Sequence, residues 1–334
     1  MKNIINPCLI LFSVLLFKSA FAQNPMPFKE EILTLKLSNG ALEGTLVMPN
    51  LSTNGQNTEG VTPMPLVFII AGSGPTDRDC NSKMGIKCDA FKMLAEGLAA
   101  QNIASFRYDK RHIGKSKMTQ KVIDATFEDF VEDAVRWLDT LKSTKRFSKI
   151  VVAGHSEGSL IGSIAVQKTA CGGFISMCGV NEAIDTTMDK QLRKQSPPLA
   201  DELKSALAKW KKGEDVDSVS PVLKQIINPN NKKFTVSFLQ YSPKLEFSKV
   251  TIPVLCIAGK NDIQVLYEDA LLFSKFNKDC TFKAFENMIH VLKDGTKNLN
   301  EVMKFYNDPK LPLTEGLVQT ISDFVKSGAT IGNR

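Results

Sequence analysis

The stretch SKIVVAGHSEGSLIGSIAV, residues Ser148–Val166, contains the transition that decides the fold. An apolar run over Ile150–Ala153 stops at Gly154, and a second apolar pattern begins after the next four residues, His-Ser-Glu-Gly. The first run has the length of a buried strand, and the second predicts a helix over 157–168. The glycines on either side of Ser156 remove Cβ atoms that would crowd a sharp turn. The stretch therefore predicts a strand, a tight turn that exposes a serine hydroxyl, and a helix.

Predicted strands and helices alternate along the rest of the chain. Further strands are predicted at 65–72, 103–108, 173–178, 252–259 and 280–285, and further helices at 91–100, 126–144, 265–276 and 317–325. An Asn-Gly pair at residues 39–40, between two alternating segments, predicts an N-terminal β-hairpin. The repeated alternation predicts an α/β fold with a doubly wound, mostly parallel sheet.

One segment, residues 181–247, departs from this alternation. It holds lysine-rich helical pieces and several prolines, among them Pro197, Pro198 and Pro221, and it contains no apolar run that resembles a buried strand. We therefore expect one domain over 23–334, with a helical cap inserted over about 181–247 and packed on one end of the sheet.

The first 22 residues have the pattern of a signal peptide. Lys2 precedes an apolar run over Cys8–Phe17, and the segment ends in Ala20-Phe21-Ala22. This order predicts cleavage before Gln23 and a secreted or periplasmic protein. The apolar run is shorter than the ~20 residues that span a bilayer, and no later segment is comparably apolar, so we expect no membrane span after cleavage.

The charge and cysteine content argue against several classes of protein. The formal net charge is +7, but lysines and acidic residues are mixed along the chain, which is not typical of a nucleic-acid-binding surface. No cysteine spacing indicates a zinc site, and we expect neither a metal nor another cofactor. Cys80 and Cys88 lie in one polar loop and are candidates for a short disulfide ring, whereas Cys178 and Cys256 lie in apolar runs. The oligomeric state is left open.

Ser156 is the candidate nucleophile, because Gly-x-Ser-x-Gly stands where a predicted strand becomes a helix. The alternative is an ordinary strand–helix turn. A serine hydroxyl needs a base, and three histidines are present: His112, His155 and His290. His155 adjoins the serine and should point into the fold, while His112 comes early in the chain. His290 follows the last predicted strand and is the candidate base.

Asp262 is the candidate acid, because it follows the predicted strand that ends at Gly259. Ligands bind outside the carboxyl ends of the strands in open α/β sheets. Glu182 is the rival acid. An oxyanion requires two N–H donors, for which we select the backbone amides of Ser73 and Glu157. Glycines on both sides of Ser73 allow close approach of the backbone.

The segments AGSGPTDRD, RYDKRHIGKS, GHSEG and GKNDIQV, with the loop of His290, resemble the α/β-hydrolase superfamily. More narrowly, the chain resembles exported bacterial hydrolases of the serine aminopeptidase and esterase group. The order Ser156, Asp262, His290 is the order of that fold's catalytic triad. Relatives usually have glycine where His112 stands, so His112 is a candidate to line the pocket. Cys80 and Cys88 are unusual for their loop, which favours a local disulfide.

Three hypotheses about function follow. The first is hydrolysis of small carboxylic esters through an acyl-enzyme intermediate. The second is cleavage of short peptides by the same residues, which would need acidic groups in the cap such as Glu202, Glu214 or Asp215. The third is a non-catalytic binding protein on a hydrolase scaffold, against which the complete set of nucleophile, base and acid argues.

Overall fold

The computed structural model describes residues 28–50, 63–83 and 85–327. The predicted signal peptide and its cleavage site lie outside these residues. The strands are β1 (Phe28–Leu37), β2 (Gly40–Pro49), β3 (Met64–Ile70), β4 (Asn81–Ser82), β5 (Ile86–Lys87), β6 (Ala104–Tyr108), β7 (Lys117–Met118), β8 (Phe147–His155), β9 (Gly173–Met177), β10 (Val254–Gly259) and β11 (Cys280–Phe285). The helices are α1 (Ala90–Ala100), α2 (Phe127–Ser143), α3 (Glu157–Lys168), α4 (Ile184–Arg193), α5 (Pro197–Lys211), α6 (Lys232–Phe238), α7 (Pro243–Ser248), α8 (Tyr267–Ser274), α9 (Val302–Tyr306) and α10 (Leu317–Ser327).

The main sheet has the strand order β1-β2-β6-β3-β8-β9-β10-β11, and β7 pairs with β2. The six strands from β6 to β11 in this order are parallel to one another. Strands β1 and β2 form the predicted antiparallel hairpin, and β2 pairs antiparallel with β6. The prediction of a mostly parallel sheet with an N-terminal hairpin is therefore confirmed.

Helices cover both faces of this sheet. In β3, Leu66, Phe68 and Ile70 pack into the core on the side of α2 and α3. The intervening Val67 and Ile69 pack into a second core with residues of α1 and α10. Successive side chains of a strand point to opposite faces, so a strand buried on both sides reads as one continuous apolar run. This is the physical basis of the run that the sequence shows at β3.

Helix α2 follows its predicted boundaries closely because its first turn is capped. Thr126 accepts a hydrogen bond from the Asp129 amide, and the Asp129 carboxylate accepts one from the Thr126 amide. This reciprocal pair satisfies two N–H groups that a helix start leaves without partners. The apolar side of α2 is buried on the sheet, with Trp137 and Leu138 fully inaccessible.

The cap predicted over residues 181–247 contains α4 to α7 and short 3-10 turns, with no strand among those residues. It has its own apolar core, which comprises Leu203, Ala206, Leu207, Trp210, Leu223 and Ile227. Phe238 of α6 stacks on Phe127 of α2 with 4.6 Å between ring centroids, which anchors the cap to the sheet domain. No helix in the described part of the chain is both long enough and apolar enough to cross a membrane.

The expected disulfide between Cys80 and Cys88 is not formed in this structure. Both residues are buried free thiols, and the Cys88 thiol donates a hydrogen bond to the Cys80 carbonyl oxygen at 2.9 Å. The Asn81 side chain accepts hydrogen bonds from the amides of Cys88 and Asp89 at 2.9 and 3.1 Å. Hydrogen bonds thus close the loop without a covalent bond. Cys178 and Cys256 are buried free thiols, as their apolar surroundings predict.

Candidate active site

Ser156 occupies the predicted sharp turn between β8 and α3. Its backbone dihedrals are φ 54° and ψ −120°, which an L-residue rarely adopts. The neighbouring strand fixes the backbone of the turn, because the Ser156 amide donates a 2.9 Å hydrogen bond to the Met177 carbonyl at the end of β9. A strained serine at this position presents its side chain at the carboxyl end of the sheet.

The two glycines of the motif are required by close backbone contacts. A Cβ atom on Gly154 would overlap the carbonyl oxygen of Gly158, and a Cβ atom on Gly158 would overlap the carbonyl oxygen of Ile70. Any side chain at either position would therefore displace the turn. The prediction that side chains at these two positions would crowd the turn is confirmed. Part of the crowding comes from β3, to which Ile70 belongs.

His290 and Asp262 are joined by a short, buried hydrogen bond. His290 Nδ1 and Asp262 Oδ2 are 2.7 Å apart, and the two residues are 5% and 2% exposed. The other oxygen of Asp262 accepts hydrogen bonds from the amides of Gln264 and Val265 at 2.8 and 3.0 Å. Glu182, the rival acid, instead pairs with Lys190 at 2.6 Å. The structure therefore brings Asp262, and not Glu182, to the histidine.

The surroundings of Asp262 keep it ionised. Burial by itself would raise its pKa, but the His290 ring and the amides of Val265 and Gln264 outweigh burial and lower the pKa below its usual value. An ionised carboxylate can hold the imidazole in one tautomer and stabilise its protonated form. Such an electrostatic arrangement suits an acid–base pair.

His155 packs against His290. The sequence predicted only that the His155 side chain points into the fold. Its Nε2 is 2.8 Å from the His290 carbonyl oxygen, and the two ring centroids are 4.7 Å apart. Burial lowers the pKa of His155 to about 3, so the ring is neutral. A carbonyl oxygen only accepts hydrogen bonds, and Nε2 therefore carries the proton. His155 thus fixes the backbone of His290.

The two residues selected for the oxyanion site border the serine. A Cβ atom on Gly72 would lie 3.0 Å from Ser156 Cβ, which places the loop of Ser73 beside Ser156. Glu157 begins α3, where the first amides of a helix have no partner within it. In the described part of the chain, neither the Ser73 amide nor the Glu157 amide donates a hydrogen bond. Both N–H groups are therefore available to a ligand.

His112 has a left-handed backbone with φ 63°, a conformation that favours glycine. Its Nε2 atom is buried and has no hydrogen-bond partner among the described residues, and burial lowers the pKa of the His112 ring. A cavity lies beside Asp262, between α4 and the loop after β10, and His112 does not line it. The structure thus assigns His112 no contact with that cavity.

His155, Cys178 and His290 offer ligand atoms within 4.8 Å of one another, a spacing that a metal ion would allow. However, His155 Nε2 already bonds the His290 carbonyl, and His290 Nδ1 already bonds Asp262. Burial and the neighbouring Asp262 raise the pKa of Cys178, which disfavours the thiolate that a metal requires. This cluster therefore fits a hydrogen-bonded support for His290 better than a metal site.

A cavity of about 870 Å³ opens beside Asp262, between α4 of the cap and the loop after β10. Apolar side chains form part of its wall, namely Val180, Ile263, Val265, Leu266 and Leu299. Paired charges line another part, including Lys190 with Glu182 and Arg193 with Asp189. Its volume is within the usual range for small-molecule sites.

The mostly parallel sheet, the turn at Ser156 after β8, and the hydrogen-bonded Asp262 and His290 after β10 and β11 are the arrangement of the α/β-hydrolase fold. A family model described as "Serine aminopeptidase, S33" matches residues 82–220. The chain is 26% identical over 280 residues to the esterase EstD of Thermotoga maritima, with 81% of this chain and 62% of EstD covered. The predicted resemblance to the serine aminopeptidase and esterase group is confirmed. The chain spans less than two thirds of the length of EstD.

Solved structures establish the same fold at lower sequence identity. The esterase Pf2001 of Pyrococcus furiosus superimposes with a TM-score of 0.57 at 14% identity, covering 99% of this chain and 100% of that one. Est1E of Butyrivibrio proteoclasticus, solved with ferulic acid bound, gives a TM-score of 0.54 at 18% identity, covering 88% of this chain and 96% of that one.

Proposed function

We propose that the protein is a serine hydrolase that cleaves small carboxylic esters through an acyl-enzyme. The observation that carries this proposal is the buried 2.7 Å bond between His290 and Asp262, at the same edge of the sheet as the strained Ser156. Three groups with these chemical roles serve nucleophilic acyl transfer. The relation to EstD favours an ester as the substrate.

The proposed reaction has two halves. His290 accepts the Ser156 hydroxyl proton at Nε2 while Oγ attacks the ester carbonyl carbon, and the resulting oxyanion accepts hydrogen bonds from the amides of Ser73 and Glu157. The bond to the alcohol oxygen then breaks, and His290 returns its proton to the departing alcohol. Water repeats the sequence on the acyl-enzyme and releases the carboxylic acid.

Ser156 Oγ makes no hydrogen bond to His290 among the described residues. This agrees with the proposal, because catalytic hydrogen bonds are often long until substrate is bound. The cavity beside Asp262 is the space that we assign to one half of the ester, and its apolar wall suits an uncharged acyl or alcohol group.

Replacing Ser156 by Ala tests the proposal. We expect the wild-type protein to hydrolyse p-nitrophenyl esters of short acids, and Ser156→Ala to lower kcat by about 10⁴-fold or more, because loss of the nucleophile removes the acyl-enzyme path. Ser163→Ala on the same helix is the matched control, since the Ser163 hydroxyl donates to the Leu160 carbonyl within the helix and the variant should keep wild-type activity. Equal rates for wild type and Ser156→Ala would refute the assignment.

A fluorophosphonate probe separates this function from a binding role on a catalytically dead scaffold. We expect one covalent adduct per chain, on Ser156, because such probes report an activated serine. A chain that binds small molecules but takes no label would be a binding protein.

The match to the serine aminopeptidase family model makes a peptidase the second candidate. The cap residues that such a site would use are engaged or solvent-facing: Glu202 accepts a hydrogen bond from the Ser220 amide, and Asp215 pairs with Lys232. Comparing aminoacyl p-nitroanilides with p-nitrophenyl esters distinguishes the two functions. A higher kcat/KM on the anilides would favour the peptidase.

A further inference from the structure

Lys110 is a buried lysine that follows β6. It contacts the loop after β3, residues 71–79, which contains Ser73 and is called the oxyanion loop below. It is 2% exposed, and its Nζ donates hydrogen bonds to the carbonyl oxygens of Gly72 and Gly74, the latter at 2.9 Å. These carbonyls stand on either side of Ser73, whose amide is a proposed oxyanion donor. A lysine is rarely buried unless its charge has partners, so this contact is a specific feature of the site.

The same ammonium group faces the other proposed donor segment. Glu157 Oε1 is 4.0 Å from Lys110 Nζ, and Glu157 is 5% exposed. Burial lowers the pKa of Lys110, and the Glu157 carboxylate partly opposes this effect. One cation therefore bridges the two backbone segments that would supply the oxyanion hole.

We propose that Lys110 is a positioning residue for the oxyanion hole, which it holds by the Gly72 and Gly74 carbonyls and by the Glu157 carboxylate. This inference rests on the proposed function. Lys110 lies in RYDKRHIGKS, one of the segments that carry the family resemblance, but it is not a member of the proposed triad.

The geometry of the peptide bond gives the mechanism. The Gly72 carbonyl and the Ser73 N–H belong to one planar trans peptide and point in opposite directions. A hydrogen bond from Lys110 to this carbonyl therefore fixes the direction of the Ser73 N–H. A charged donor on the carbonyl also polarises the same peptide, which strengthens its N–H as a donor.

The neighbouring residue holds the same loop further along. Asp109 accepts hydrogen bonds from the Arg78 amide at 2.9 Å and from the Arg78 guanidinium at 2.7 Å. Arg78 and Asp109 are both buried. The loop is thus held at Gly72–Gly74 by Lys110 and at Arg78 by Asp109, so loss of Lys110 should disturb the oxyanion donors without releasing the entire loop.

Lys110→Met tests the role, because methionine has a similar length but neither charge nor N–H donor. We expect kcat for p-nitrophenyl esters to fall by about 10- to 100-fold with KM changed less than about threefold, since misplaced oxyanion donors affect the transition state selectively. The inhibition constant of a boronic acid, which forms a tetrahedral adduct, should rise by the same factor as kcat falls. Inhibition by the carboxylate product should be unchanged.

Two further variants keep the result interpretable. Lys110→Met leaves the Glu157 carboxylate buried alone, so the double variant Lys110→Met/Glu157→Gln is the test if the single variant does not fold. Lys115→Met, an exposed lysine of the same segment, is the control and should match wild type. Wild-type kcat and boronic acid affinity in a folded Lys110 variant overturn this inference but leave the proposed function intact. An inert, unlabelled wild type overturns both.

Discussion

At the scale of single residues, the site depends on two backbone positions under strain. Ser156 and Cys178 both have φ near 50°, although neither is glycine. Such conformations cost about 1–3 kcal/mol each and persist only where surrounding contacts enforce them. The amides of Ser156 and Cys178 bond the carbonyls of Met177 and Ile257, each on a neighbouring strand, at 2.9 and 2.8 Å. Sheet hydrogen bonds therefore enforce the strain where the chemistry is proposed.

His155 makes the stability of the protein depend on pH. Its folded pKa of about 3 lies below the ordinary 6.5, so the unfolded chain takes up the proton first as the pH falls. Stability is therefore lost between these two values, at up to about 1.4 kcal/mol per pH unit. We expect urea unfolding between pH 6.5 and 4.5 to show a steeper loss for wild type than for His155→Gln.

The control for this prediction is His112→Gln, whose histidine is partly exposed and should contribute less to the slope. Identical pH slopes for wild type and His155→Gln would contradict the assignment of a neutral, buried His155.

At the scale of elements, a buried ion pair joins the segment after β6 to helix α2. The Arg111 guanidinium donates two hydrogen bonds to the Asp133 carboxylate at 2.6 and 2.7 Å, and both residues are buried. This pair fixes the strand end that also carries Asp109 and Lys110. The position of the proposed oxyanion support therefore depends on how α2 packs against the sheet.

Breaking this pair should destabilise the fold. We expect Asp133→Asn to reduce the free energy of unfolding by about 3 kcal/mol, because it leaves the Arg111 charge buried with weaker partners. Glu132→Gln on the same helix is the control: its pair with Arg136 is exposed, and such pairs contribute about 0–1 kcal/mol. Urea denaturation measures both variants, and equal midpoints for them would show that burial of the pair does not matter.

At the scale of the whole molecule, the cap has an apolar core of its own and also contributes aromatic side chains to the core of the sheet domain. Phe127 of α2 packs against Phe234, Phe238 and Tyr241 of the cap. The cavity beside Asp262 lies where α4 of the cap faces the sheet domain, so the cap forms part of the wall of this cavity.

The N-terminal segment bears on the cellular location of the protein. We propose that it is exported and that the mature protein begins at Gln23, because small residues at positions 20 and 22 suit cleavage there. Intact-mass measurement of protein from the periplasm or medium should give the mass of residues 23–334, and Ala22→Leu should block processing. Retention of Met1 in the wild-type protein would contradict the prediction.

The sequence alone determined the local structure and the order of the proposed triad. Alternating apolar runs specify strands and helices because burial follows the period of each element, and Gly-His-Ser-Glu-Gly specifies its turn by local crowding. The scarcity of histidines left His290 as the candidate base, and the strand that ends at Gly259 indicated Asp262 as the candidate acid. Each of these inferences needed only neighbours in the chain or the order of elements.

Only the tertiary structure decided which distant groups meet. It paired Asp262 with His290 and Glu182 with Lys190, left Cys80 and Cys88 as free thiols, and placed His155 against the His290 carbonyl. It also brought Lys110 to Gly72, although they are 38 positions apart. That contact exists because β3 and β6 are parallel neighbours, so the segments that leave their carboxyl ends lie side by side. Sequence periodicity carries no information on which strands become neighbours, and the support of the oxyanion loop depends on that adjacency.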